Sequence, residues 1–464
     1  MSTQAGSIKR GFIGFLKNWF GDFSKEEFKK FLKLGVIFAL VIGVYWTLRP
    51  LKDSIFLSLC GKTNQPIAKW VSLFTLFPIV ILYSKLVDKV ARHRLFYIIG
   101  TIYFIGTLII GGLFLHPTIG LCNVKEDPFR ILPWVWYVFV ESYGSIVVAL
   151  FWAFAADMVS PDAAKRGFPF VVMLGQLGAI FGPMFLTPLG KNVFGNSGPT
   201  VLICGALILL MMGAVYFFMA TTPKDQLKGY TQQVTDKSGH KEEEPGFLEG
   251  LKLMLSQPYL LGIFAVISIY EIIVTIIDYR FKFMVTSNLP TEVERSAYLG
   301  DYAVWVNVIS FLCLFFGISN IQRRLGIKAS LVLMPFIVGV MVLSFYMFPQ
   351  VQTLFWIMVF AKAVNYALNG PALKQLYVPT SHDVKYKSQA WIETFGSRSS
   401  KATGSAFNLL DKPFTRSFGE VQGISYLIAI GTYLSFGLLA AWLMVALYLG
   451  KTYQKAVDQD KVVC

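Results

Sequence analysis

The sequence predicts an all-α membrane protein with twelve transmembrane helices arranged as two six-helix halves. Three observations carry that expectation. Of the 464 residues, 55% are hydrophobic and only 15% are charged, where an average soluble domain carries roughly a quarter charged residues. The apolar residues gather into twelve stretches, at 34–49, 66–84, 95–115, 131–157, 168–188, 199–220, 259–279, 302–319, 329–348, 352–373, 389–410 and 424–449. Most approach the roughly 20 residues that cross the hydrocarbon as a helix. One long hydrophilic break, 221–258, separates the first six from the last six and carries Lys224, Asp225, Lys228, Lys237, Lys241 and Glu242 to Glu244.

The elements follow in order. Residues 1–33 are expected on the cytoplasmic side, and Phe12, Phe15, Leu16, Trp19 and Phe20 among lysines suit an amphipathic helix on the membrane surface. The apolar stretch from Leu34 is too long for a cleavable signal peptide, and no small-residue cleavage site follows it. The six-helix half 34–220 comes next, then the solvated cytoplasmic linker 221–258, the second half 259–449 and a cytoplasmic tail, 450–464. Stretches 66–84 and 389–410 are interrupted by Lys, Arg, Gly and Ser, which is where a polar cavity is expected. Gly175, Gly178 and Gly182, at spacings of three and four, suit close helix packing in the fifth span.

Loops on the side of the termini hold more than twice as many Lys and Arg as the opposite loops. The positive-inside rule then places both termini in the cytoplasm. Those loops suffice to explain the net charge of +15, and no nucleic-acid partner is expected. Residues 1–33 are too short, and with Asp22, Glu26 and Glu27 too acidic, for an organellar transit peptide; a bacterial inner membrane is favoured over a plastid envelope. Cys60 and Cys122 both fall in outside loops, where a disulfide could join them.

Internal duplication is faint but ordered. The turn Asp88-Lys89-Val90-Ala91-Arg92-His93-Arg94 after the second span has a counterpart in Asn320-Ile321-Gln322-Arg323-Arg324-Leu325-Gly326 after the eighth. Turns holding Asp162 to Arg166 and Asp383 to Lys387 follow spans four and ten, each with a glycine (Gly175, Gly396) thirteen residues beyond its aspartate. This resembles the major facilitator superfold, which implies a major-facilitator-like architecture with a central cavity.

Enzyme chemistry is not indicated. No Gly-x-x-x-x-Gly-Lys-Ser/Thr phosphate loop is present, and His93, His116, His240 and His382 are scattered among loops without metal spacing. The sequence requires no cofactor and no metal. The informative residues are charges inside apolar stretches: Lys69, Glu141, Glu271, Asp278, Lys362, Lys374 and Lys401. A charge at bilayer depth costs about 3 kcal/mol or more, so it lines a polar pathway or pairs with another charge. The excess of lysines points to an anionic solute.

The junction after the first span reads Tyr45-Trp46-Thr47-Leu48-Arg49-Pro50-Leu51-Lys52-Asp53. Arg49 and Lys52 share one helical face, and snorkelling at a helix end would also account for them. The stretch resembles the Leu-Arg-Asp-x-Lys-Asp signature of the nucleotide transporter family, the ATP/ADP translocases of plastids and obligate intracellular bacteria, with Pro50 in place of the first Asp. Further segments are similar in the same order: Ile67 to Leu73, Tyr83 to Leu86, Glu141 to Val148, Phe151 to Ala155, and Lys387 to Gly404 with its Lys401-Ala402-Thr403-Gly404. The resemblance implies a divergent member that exchanges ATP for ADP and phosphate. It also implies functional charges at Lys69, Glu141, Asp278 and Lys401, with Glu271 competing for the role in the seventh span.

Physical roles can be set beside that resemblance. Lys69, Lys401, Arg398 and Lys374 could hold substrate phosphates through charge-assisted hydrogen bonds, with Arg49, Lys52 and Arg280 near the outer mouth. Glu141, Asp278 and Glu271 would hold those cations when substrate is absent, or serve only as structural ion pairs. Trp70, Phe74, Tyr143 and Trp152 could stack on a base or simply pack helices. A monomer in the lipid bilayer is expected. Rival substrates are NAD against ADP, several nucleotides, or proton-coupled import; a rival class is a membrane scaffold or receptor.

Overall fold

The structure, a computed structural model, describes residues 24–87, 90–159, 161–223, 247–316, 318–380, 388–459 and 461–463. The surface helix expected around 12–20, most of the 221–258 linker, Asp88, Lys89 and the loop 383–387 lie outside the described residues.

Among the described residues all regular structure is helical. The principal elements are α1 Lys25–Cys60, α2 Gln65–Val87, α3 Arg92–Phe114, α4 Ile131–Asp157, α5 Pro161–Leu189, α6 Gly198–Thr221 and α7 Phe247–Ser256. The chain continues with α8 Pro258–Asn288, α9 Glu292–Phe316, α10 Ile318–Met347, α11 Val351–Leu376, α12 Ser397–Asn408, α13 Asp411–Phe418 and α14 Glu420–Asp458. Ten of these, α1–α6, α8, α10, α11 and α14, contain segments long and apolar enough to cross a membrane. Helices also stand at the other two expected stretches. There α9 opens with Glu292, Glu294 and Arg295, and α12 is rich in Ser, Thr, Arg and Lys.

Several helices run past the apolar stretch that announces them. α1 has 36 residues and keeps Pro50 inside it; at 1.5 Å per residue it is about 54 Å long. α8 continues nine residues beyond 279, through Asp278-Tyr279-Arg280 and Lys282. The physical reason is that those charges find partners, so helix and burial both survive them. Wide π-turns occur at several points, Gly190–Phe194 after α5 among them, and two lie in the second half of the chain. In α11 the segment Asn365–Asn369 is a π-turn in which the Gly370 amide donates to the Asn365 carbonyl. Pro371 follows and lacks an amide proton, so it cannot continue the regular ladder. Before α12 a second π-turn, Ile392–Gly396, lets Ser397 donate to the Ile392 carbonyl. Such turns rotate the side chains that follow and are frequent at functional sites. In α10, Gly326 breaks the helix at φ 77°, which a side chain would strain.

The chain forms two compact units, 1–53, 78–123 and 139–242 in one, 54–77, 124–138 and 243–464 in the other. In the first, α5 lies close against α1: a Cβ on Gly178 would stand 2.1 Å from the Ala39 carbonyl oxygen. α3 packs along α6. In the second, α8 packs against α11, α12 and α14, and α10 packs along α14. Phe56, Cys60, Ala68 and Tyr137 form a buried cluster at the ends of α1, α2 and α4 that belong to this unit, with Trp134 against it. Cys60 is buried, Cys122 is exposed, and both are free thiols.

Candidate functional site

In the second unit, α8 carries a charged stripe. Glu271, Asp278 and Lys282 are seven and four residues apart, which places them on one helical face. The Asp278 carboxylate is nearly buried, and three lysines from three helices meet it. Lys282 Nζ lies 2.7 Å from Oδ2, Lys69 Nζ of α2 lies 3.8 Å from the same oxygen, and Lys362 Nζ of α11 donates to Oδ1 at 3.3 Å. Lys362 also stands 5.2 Å from the centre of the Tyr302 ring, a cation–π contact. Both oxygens of one acid are thus held by ammonium groups, a geometry that suits any compact oxyanion.

Two turns along α8, roughly 10 Å by helical rise, Glu271 forms a second cluster. Ser397 donates to its Oε1 at 2.9 Å, and Lys401 lies 3.4 Å from the same oxygen. Lys401 is 45% exposed against 17% for the acid, so this pair is the more open of the two. Ser400 donates to Ser268 at 2.8 Å and ties α12 to α8 beside it. Arg398 is half-buried one turn before Lys401, and Lys374 is exposed on α11.

Arg280 points elsewhere. It lies 3.6 Å from Asp411 of α13, whose other oxygen accepts a 2.5 Å hydrogen bond from the Tyr279 hydroxyl. Its guanidinium stands over the Tyr279 and Phe283 rings at 5.6 and 5.7 Å. Arg280 therefore anchors α13 and is not part of the Asp278 cluster.

In the first unit, Lys52 is buried beside two acids. It donates to Glu141 and lies 3.7 Å from Asp53. Arg49, one turn earlier, stands over Trp46 at 5.0 Å. The aromatic candidates divide. Trp70 and Phe74 on α2 stack at 6.0 Å next to Lys69, with Phe74 69% exposed. Tyr143 is fully buried, with its hydroxyl donating to the Val41 carbonyl at 3.4 Å. Trp152 packs among Phe38, Phe151 and Phe168.

A third feature of the second unit had no sequence signal. Ser54, at the end of α1, and Ser296 both donate to Glu292 Oε1 at 2.7 Å. Arg295 donates to Ser58 at 2.8 Å and to the Leu289 and Pro290 carbonyls. Lys412 donates to Asn64 at 3.0 Å. Together these bonds fasten the end of α1 to α9 and α13. Lys282 was also absent from the sequence-based set, because the apolar stretch ends at 279. Its spacing of four from Asp278 is the signal that finds it once α8 is extended.

The fold itself defines a class. The nucleoside transporter NupG aligns with a TM-score of 0.62 at 12% identity, over 90% of this chain and 98% of that one. A D-xylose–proton symporter aligns with a TM-score of 0.59 at 13% identity, over 92% and 97%. At such identities the likeness concerns the fold alone: this is a multi-pass membrane protein of major-facilitator-like architecture.

The model of the TLC ATP/ADP transporter family matches residues 8–453, and the chain belongs to that family. It is 23% identical over 486 residues to the chloroplastic ADP,ATP carrier protein 2 of Arabidopsis thaliana, covering 94% of this chain and 76% of that protein. It is 24% identical over 509 residues to ADP,ATP carrier protein 1 of Rickettsia prowazekii, covering 99% and 100%. These identities make it a divergent member.

Proposed function

We propose that the protein is an antiporter of adenine nucleotides, taking ATP in one direction against ADP and phosphate in the other by alternating access. The observation that carries this reading is the Asp278 cluster, where lysines of α2, α8 and α11 converge on one carboxylate. Phosphate oxygens accept charge-assisted hydrogen bonds from several lysines at once, and a nucleotide presents two or three phosphates in a row. The Glu271–Lys401 pair, with Arg398 nearby, offers a second cationic position along the same face of α8. Family membership and the ADP,ATP carriers among its relatives support adenine nucleotides over other polyanions.

The acids hold the lysines while substrate is absent and release them when phosphates arrive, which ties reorientation to occupancy. The excess of Lys and Arg in loops on the side of the termini supports an orientation with both ends cytoplasmic. Uptake by intact bacterial cells expressing the chain tests the reading, with labelled ATP, ADP and NAD each competed by the others. Saturable ATP uptake suppressed by ADP is expected. If neither ATP nor ADP enters while NAD or another anion does, the reading falls.

A further inference from the structure

The three lysines at Asp278 differ in how they are held. Lys282 sits on the same helix, one turn from the acid, at 2.7 Å, and that pair travels with α8 whatever the other helices do. Lys69 and Lys362 come from α2 and α11 at 3.8 and 3.3 Å, longer than a tight charge-assisted bond of about 2.7–2.9 Å. They approach different oxygens, Oδ2 and Oδ1, so the two ammoniums are spaced to grip two oxygens of one group. A phosphate presents two such oxygens to the same pair. The side chains are 16% and 12% exposed, so both ammoniums are largely shielded from water, where a charged hydrogen bond to a phosphate counts for more.

We infer that Asp278 competes with the substrate's phosphate for Lys69 and Lys362, that Lys362 is a direct phosphate-binding residue, and that Lys282 is a positioning residue that holds Asp278 aside when the phosphate is bound. This rests on the nucleotide-exchange reading of the same site. Binding transfers two ammoniums from the carboxylate to the phosphate, while Asp278 keeps Lys282. The acid therefore lowers affinity and at the same time supplies the partner that lets the lysines release their load. A purely structural ion cluster has no such consequence: loss of its acid would never tighten binding.

The test uses the purified full chain, with labelled ATP binding measured in detergent and ATP/ADP exchange measured in proteoliposomes. Asp278→Asn is expected to lower the Kd for ATP about tenfold, the size of one neighbouring charge acting at short range, and to slow exchange turnover. Lys362→Gln is expected to raise the Kd about tenfold or more through loss of a charged hydrogen bond, and Lys362→Arg to restore it. Lys282→Gln is expected to raise Kd less than Lys362→Gln does, because it frees the competitor without removing a ligand group. Should Asp278→Asn not fold, the double change D278N with K282Q removes the helical pair together, and it too should bind ATP more tightly.

Folded Asp278 variants that bind ATP no more tightly than wild type overturn the competition. Lys362→Gln with unchanged affinity overturns the ligand assignment, as does loss of folding in Lys362→Gln together with Lys362→Arg. Wild-type protein that binds and exchanges neither ATP nor ADP is a separate result: it removes the functional reading itself.

Discussion

The two units each bury a charge cluster, and the two are built differently. In the first, one lysine, Lys52, meets two acids, Asp53 and Glu141. In the second, one acid, Asp278, meets three lysines. The bond from Lys52 to Glu141 joins α1 to α4 within the first unit. A cluster in which lysines from three helices converge on one carboxylate is already arranged for an oxyanion. The difference teaches that burial of charge alone is not what singles out a substrate site; under the proposed function it is the convergence of lysines from several helices on one carboxylate. It also explains why Arg280, equally buried, falls outside the site, since it meets Asp411 and two aromatic rings.

Lys52→Met should show the largest effect on folding, because it leaves Asp53 and Glu141 side by side without their shared cation. Breaking a buried pair from one side costs about 3–5 kcal/mol, and thermal unfolding of the purified variant reads it. Unchanged stability would remove the structural role from the first cluster. Glu141→Gln is milder, since Lys52 keeps Asp53 and the amide still accepts a hydrogen bond; a loss of about 1–3 kcal/mol is expected. It should lose exchange in proteoliposomes while retaining ATP binding, which separates an acid needed for movement from a site needed for affinity.

Lys401→Ala sharpens the contrast from the other side. Its side chain is 45% exposed, and such pairs contribute under about 1 kcal/mol to stability. A clear rise in the KM for ATP with an unchanged unfolding temperature is expected; a fall in stability with unaltered KM would make the Glu271 pair structural. The smallest effect belongs to the bonds at the end of α1. Ser296→Ala removes one hydroxyl from Glu292, worth about 0.5–1.5 kcal/mol. Thermal unfolding of the purified variant reads it, and unchanged stability would show that this bond does not help hold α1 to α9.

Much of the helical scaffold was legible because hydrophobic length is a strong signal. α4 begins and ends at the residues the apolar stretch marks, 131 and 157, since loops with charges or turns flank it on both sides. α8 was cut short at 279 because hydropathy reads Arg280 and Lys282 as an exit from the membrane, while the folded chain pairs both with acids. Lys69 and Asp278 stood out as charges in apolar surroundings, and the structure brings them together. Lys362 was visible as a charge but its partner was not, because α8 and α11 are 84 positions apart at that pair. The Ser54–Glu292–Arg295 bonds gave no pattern, since single serines and helix-opening glutamates occur everywhere.

The central claim is that the acid-bracketing lysines of the second unit, and not the Lys52–Glu141 cluster of the first, hold the substrate. The most direct measurement is the ATP-dependent rise in unfolding temperature of purified wild type, Lys362→Gln and Glu141→Gln. A ligand at a hundred times its Kd stabilises the folded state by about 2.7 kcal/mol, enough to read for each protein. The full shift is expected for wild type and Glu141→Gln, and about half of it, ~1.4 kcal/mol for a tenfold higher Kd, for Lys362→Gln at the same ATP concentration. A shift that is undiminished in Lys362→Gln and lost in Glu141→Gln would contradict the claim.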